Sequence, residues 1–134
     1  MELDITPLGR AVARLDEGLR RYLQDTSDEQ IRDGLIQRFE FTYELSHKTL
    51  KRYLEAASPD PAAFDAMDFQ TLIRTGNEQN LLLGDWPAWR TWRNLRARTS
   101  HTYNESVALE VVAAIPGFLD EARHLLNRLA GRLG

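Results

Sequence analysis

The sequence predicts an all-α protein: an antiparallel, four-helix-bundle-like arrangement of five to six helices, forming one domain over residues 1–134. Apolar residues recur at spacings of three and four along nearly the whole chain, the period of an amphipathic helix. No alternating run is bounded by the two-residue Gly/Asn turns of a hairpin, so strands find no support. The length of 134 residues fits one domain, since a domain takes about 100–200 residues.

Leu8, Val12, Leu15, Leu19 and Tyr22 form an apolar stripe that places a first helix over about 5–24. Ser27 with Gln30 three residues on has the capping-box spacing, so a second helix starts there. Ile31, Leu35, Phe39, Tyr43, His47, Leu50 and Leu54 carry it to about residue 56, where Pro59 and Pro61 interrupt the chain. A shorter helix follows near 64–75, closed by Gly76, and GNEQNLLLGD reads as a loop. Asp85 before Trp86-Pro87 marks the start of a fourth helix over about 86–98. Thr102 and Glu105 form a second capping-box pattern, starting a helix that runs to about 114. Ile115-Pro116-Gly117 then separates it from a last helix carrying Phe118, Leu119, Leu125, Leu126, Leu129 and Leu133.

Composition narrows the function. A net charge of −3 is not that of a protein basic all over, so any nucleic-acid contact is local. Without cysteine there is no disulfide, thiolate metal site or cysteine nucleophile. No apolar run approaches the roughly 18 residues of a membrane span, and MELDITPLGR lacks the basic start of a signal peptide; a cytoplasmic protein without membrane contact is expected. His47, His101 and His124 are far apart and lack a metal-site spacing, so no metal or cofactor is expected. Phosphate loops, G-x-S-x-G and H-E-x-x-H are absent.

Glu40, Glu44 and Lys48 share a helix face, either as an acid–base pair of carboxylates or as a solvated face with a Glu44–Lys48 pair. Trp86, Trp89 and Trp92 recur every third residue, which suits an aromatic core or dimer seam better than base stacking. Arg90, Arg93, Arg96 and Arg98 cluster just before a polar segment, Thr99-Ser100-His101-Thr102-Tyr103. With a helix ending near Arg98 and another starting at Thr102, Arg96 and His101 can face a shared cleft with free backbone N–H groups, a phosphate-binding arrangement. Arg93, Arg98, Ser100 and Thr102 are then candidate phosphate ligands. The alternative is a polar interhelix turn with a capping hydroxyl.

The run R-x-x-x-x-H-x-Y, formed by Arg96, His101 and Tyr103, resembles the signature of HEPN domains. The stretch Phe39-Glu40-Phe41-Thr42-Tyr43-Glu44-Leu45, continuing into Lys48-Thr49-Leu50-Lys51 and Tyr53-Leu54, is similar to the long helix of the HepT-like, nucleotidyltransferase substrate-binding group. The resemblance spans about residues 5–130. It implies a dimerising helical bundle that brings two motif copies to one groove, with a cognate minimal nucleotidyltransferase as partner. It further implies an HEPN toxin of a toxin–antitoxin pair in which Arg96 and His101 serve metal-independent RNA cleavage and Tyr103 receives AMP from the partner. A non-catalytic nucleotidyltransferase-binding subunit is the alternative. Two positions depart from the pattern: Ala97 follows the motif arginine where a polar residue is usual, and His47 stands where the long helix usually has Trp.

Overall fold

The expected stripe of Leu8, Val12, Leu15, Leu19 and Tyr22 is the buried face of α1 (Thr6–Gln24) in the computed structural model, which describes residues 2–134. Helix α2 (Glu29–Ala57) lies against it, followed by a 3-10 turn at Pro61–Phe64, α3 (Phe69–Glu78), α4 (Trp86–Ala97), a 3-10 turn at Thr99–His101 and α5 (Glu105–Leu133). Arg38 and Thr42 of α2 reach the Arg14 and Ala11 carbonyls of α1, and Arg123 of α5 reaches Asp16 while Leu126 lies beside Gly9. α1 is therefore antiparallel to both neighbours. Arg32 near Glu105 at one end and Tyr53 near Arg132 at the other put α2 and α5 in the same direction. They form the close diagonal of an up-down-up-down bundle whose fourth member is α4.

Several boundaries differ from the sequence expectation, each for a local reason. Asp28, not Ser27, caps α2: its Oδ1 accepts from the N–H groups of Gln30 and Ile31, while the Ser27 hydroxyl bonds Asp25. A carboxylate at the N-terminal end also meets the helix dipole, which a hydroxyl does not. The third helix starts later, at the Asp68 cap, because Pro61–Phe64 takes a 3-10 turn; it then runs past Gly76 to Glu78. Asn80, at φ 60°, takes the left-handed position expected of glycine. Leu81 N–H then bonds the Gly76 carbonyl and Asn80 N–H the Asn77 carbonyl, completing a Schellman end. Gly76 serves packing instead, since a Cβ there would lie 2.9 Å from Leu82 Cδ1.

The two C-terminal helices are one. Pro116 lacks the N–H that would bond back within the helix, a cost of about 3 kcal/mol in a helix interior. It faces solvent, however, while Ile115, Phe118 and Leu119 beside it are buried. Fully burying such side chains contributes about 1.5–3 kcal/mol each, enough to keep the helix continuous.

The tryptophans belong to the core. Trp89 is fully buried, and Trp86 and Trp92 pack against the same cluster. Phe118 meets Phe39 edge-on at 5.2 Å and Trp92 at 5.3 Å, with Trp89 6.0 Å away. A carboxylate enters this core. Glu121, 1% exposed, accepts hydrogen bonds from Leu83 N–H, Gly84 N–H and Trp89 Nε1 at 2.7, 2.7 and 2.9 Å. The loop before α4 and the helix itself are thereby fixed to α5. A Cβ at Gly84 would lie 3.0 Å from the same carboxylate, so the close approach needs glycine.

Candidate functional site

Helix α4 presents the arginines. Its sequence WPAWRTWRNLRA buries Trp89 and Leu95 and leaves Arg90 and Arg93 exposed. Arg93 makes no ion pair among the described residues; its guanidinium lies over the Phe69 ring, 5.2 Å from the centroid. Arg96 turns toward α2. Its Nη1 lies 3.5 Å from Glu40 and its Nε 3.4 Å from Glu44, and Nη1 also donates to the Thr99 hydroxyl at 3.2 Å. The shared face of Glu40, Glu44 and Lys48 therefore serves mainly to receive an arginine, with Lys48 3.9 Å from Glu44. Arg98 is held by Glu110 of α5 at 2.8 Å.

Thr102 does not cap α5. Its hydroxyl donates to the Thr99 carbonyl, closing the 3-10 turn, and Asn104 caps the helix by accepting from Ser106 N–H. The Thr102–Glu105 spacing fits a capping box, but a hydroxyl already used inside the turn cannot serve the next helix. Tyr103 thus precedes the cap instead of following it. It is 87% exposed, and its ring stands edge-on to His101 at 5.9 Å. Ser100 and His101 are exposed. Among the described residues no hydrogen bond or ion pair joins Arg96 to His101; the link is Thr99, which begins the turn that His101 ends.

Between α2, α3 and α4 lies a cleft of about 490 Å³ lined by Tyr43, Glu44, His47, Phe69, Arg93, Arg96 and Ala97. His47 packs on Tyr43 at 5.2 Å and edge-on to Phe69 at 5.6 Å, with Nε2 3.3 Å from Glu44. Burial pushes its pKa below the ordinary histidine value, against the pull of Glu44. Burial likewise raises the Tyr43 hydroxyl to about 12, so it stays protonated. Among the described residues no group of three or more His, Cys, Asp or Glu is placed to hold a metal ion, and no helix is long and apolar enough to cross a membrane.

Residues 3–131 match the family described as nucleotidyltransferase substrate binding protein like. The chain belongs to this family. Over 99 residues this member is 39% identical to "Probable ribonuclease HepT" of Haemophilus influenzae, across 74% of this chain and 67% of that protein. Its fold superposes on HI0074 of Haemophilus influenzae with a TM-score of 0.88 at 31% identity, covering 95% of this chain and 99% of the other. HI0074 is described as having the fold of a substrate-binding domain of a nucleotidyltransferase. A Thermus thermophilus protein gives a TM-score of 0.73 at 30% identity, covering 91% and 98%. Within this nucleotidyltransferase substrate-binding fold, His47 and Ala97, singled out separately in the sequence, line one cleft. Sequence reasoning missed Phe69 as a wall of that cleft and Glu121 as the anchor of α4. Glu121 left a signal: an acid set on the stripe of Phe118, Ala122 and Leu125.

Proposed function

We propose that this chain is a metal-independent endoribonuclease, the HEPN toxin of a toxin–antitoxin pair, silenced when a minimal nucleotidyltransferase transfers AMP to Tyr103. The observation that carries the reading is the exposed His101–Tyr103 ring pair, on a turn whose first residue is hydrogen-bonded to Arg96. In cleavage, His101 takes the 2′-hydroxyl proton as the 2′-oxygen attacks phosphorus. The bond to the 5′-oxygen breaks, the proton returns to that oxygen, and a 2′,3′-cyclic phosphate remains. Arg96 meets the charge that develops on the phosphoryl oxygens. Arg93, Ser100 and Thr102 lie along the same stretch for the flanking backbone, and Arg98 joins them on release from Glu110. A homodimer would align two such turns in one groove. AMP on Tyr103 would place an anion beside His101 and occupy the approach to it.

The Arg96 ion pairs with Glu40 and Glu44, and the apolar Ala97, favour a second reading: a non-catalytic subunit that docks the nucleotidyltransferase. Cleavage of single-stranded RNA separates the two. Under the first, His101→Ala and Arg96→Ala each lower the rate by about 100- to 10,000-fold, the range for positioned acid–base catalysis, and a chelator changes nothing. Incubation with the nucleotidyltransferase and ATP adds the mass of AMP to wild type but not to Tyr103→Phe. Equal rates for wild type and His101→Ala refute the nuclease, and an adduct that persists in Tyr103→Phe refutes the modification site.

A further inference from the structure

The cleft between α2, α3 and α4 has features that the cleavage chemistry does not use. Its floor is aromatic: Tyr43 is buried, and the His47 and Phe69 rings stand 5.6 Å apart above it. Its rim is charged. Arg93 has no carboxylate partner among the described residues, Arg96 is shared by two, and Lys48 is close by, so three cations face the two carboxylates Glu40 and Glu44. Arg96 Nε is buried and faces Glu44 at 3.4 Å without a hydrogen bond of good geometry, so the Arg96–Glu44 pair is a loose one. A volume of about 490 Å³ lies within the range of small-molecule sites, and Ala97 leaves its mouth open.

This combination matches one nucleotide. An aromatic floor stacks a base, a guanidinium over an aromatic ring marks a place where flat groups layer, and an arginine without a carboxylate partner takes a phosphate. The carboxylate of Glu44 accepts only, so it suits a base edge that presents an amino group and opposes the carbonyl oxygens of uracil. With its pKa lowered by burial, His47 offers a neutral ring for stacking near neutral pH.

We propose that this cleft is a base-recognition subsite for single-stranded RNA, holding one nucleotide with its base stacked on His47 and its edge toward Phe69, its amino group on Glu44 and its phosphate on Arg93 and Arg96. The subsite rests on the RNA reading above and adds a preference for adenine, guanine or cytosine over uracil next to the point of cleavage.

The test is calorimetric titration of the full chain with the 5′-monophosphates of adenosine, guanosine, cytidine and uridine, alongside RNA cleavage. The amino-bearing nucleotides should bind more tightly than uridine monophosphate. His47→Ala should weaken binding by about 5- to 150-fold, the span expected for loss of one stacking contact. Glu44→Gln, which replaces one acceptor by a donor, should erase the discrimination. Ala97→Leu fills the mouth from an exposed position, so it should block binding without disturbing the core even where His47→Ala loosens the fold. Equal binding of all four nucleotides, no binding at millimolar concentration, or unchanged binding in both His47→Ala and Ala97→Leu overturns the subsite. A wild type that discriminates nucleotides yet never cuts RNA refutes the nuclease and keeps the subsite; one that cuts RNA without discrimination does the reverse.

Discussion

Glu121→Ala is expected to destabilise the fold far more than a single substitution on a helix usually does. The carboxylate accepts from two backbone N–H groups and an indole N–H, all within 2.9 Å. Hydrogen bonds to a charged group contribute about 1.5–3 kcal/mol each. The full sum is not lost, because Leu83 is 61% exposed and its N–H can turn to water, whereas Trp89 at 0% cannot. The balance is about 3–5 kcal/mol for Glu121→Ala, as for other changes that strand buried polar groups. Glu121→Gln keeps one acceptor oxygen and turns an NH₂ toward an N–H, for a loss of about 2 kcal/mol. Urea denaturation measures both: at an m-value of about 2 kcal/mol per molar, a 4 kcal/mol loss moves the midpoint by about 2 M. A double-mutant cycle with Trp89→Phe should return a coupling of about 1–3 kcal/mol. Midpoints for both Glu121 variants within about 0.2 M of wild type would refute the anchor.

Acidification should weaken the protein through His47. Its folded pKa lies below the unfolded value, so below about pH 6.5 the unfolded chain binds the proton more readily and stability falls as pH drops toward the folded pKa. Above that window the effect is absent. The groups facing the ring are Glu44, Lys48 and Arg93, with Tyr43 and Phe69 packed on it, so His47→Phe, which removes the titration together with the 3.3 Å contact to Glu44, should flatten thermal stability between pH 7 and 5 relative to wild type. An unchanged slope sinks the assignment. The helix starts make a second pair of outcomes: Asp28→Ala and Asn104→Ala should each cost about 1 kcal/mol, whereas Ser27→Ala and Thr102→Ala should cost clearly less in the same urea titration.

The helices were legible because their signal is local. Leu8 to Tyr22 repeats at helical spacing, and any tertiary arrangement must bury that stripe. The caps were less legible because two side chains competed within a few residues. Thr102 and Asn104 both suit a helix start, and the choice depended on the Thr99 carbonyl taking the threonine hydroxyl. Pro116 misled for the converse reason, since its local cost is plain but the burial of Ile115 and Phe118 that outweighs it is tertiary. Of the candidate site, Arg96, His101 and Tyr103 were readable as a motif, but the turn of Arg96 toward Glu40 and Glu44 was not. Glu121 meets the loop before α4 across 37 residues, a separation at which spacing carries no information.

The diagonal contact between α2 and α5 also constrains the order of folding. The α1–α2 hairpin closes over a short link and can assemble early, whereas α5 must find α2 across the whole α3–α4 crossover, an entropically slower search. The turn bearing His101 and Tyr103 hangs between α4 and α5, so it is framed only when that last docking is complete. Until then Glu121 is away from the loop before α4. A chain cut before α5 therefore carries Arg96, His101 and Tyr103 without the helix that frames their turn.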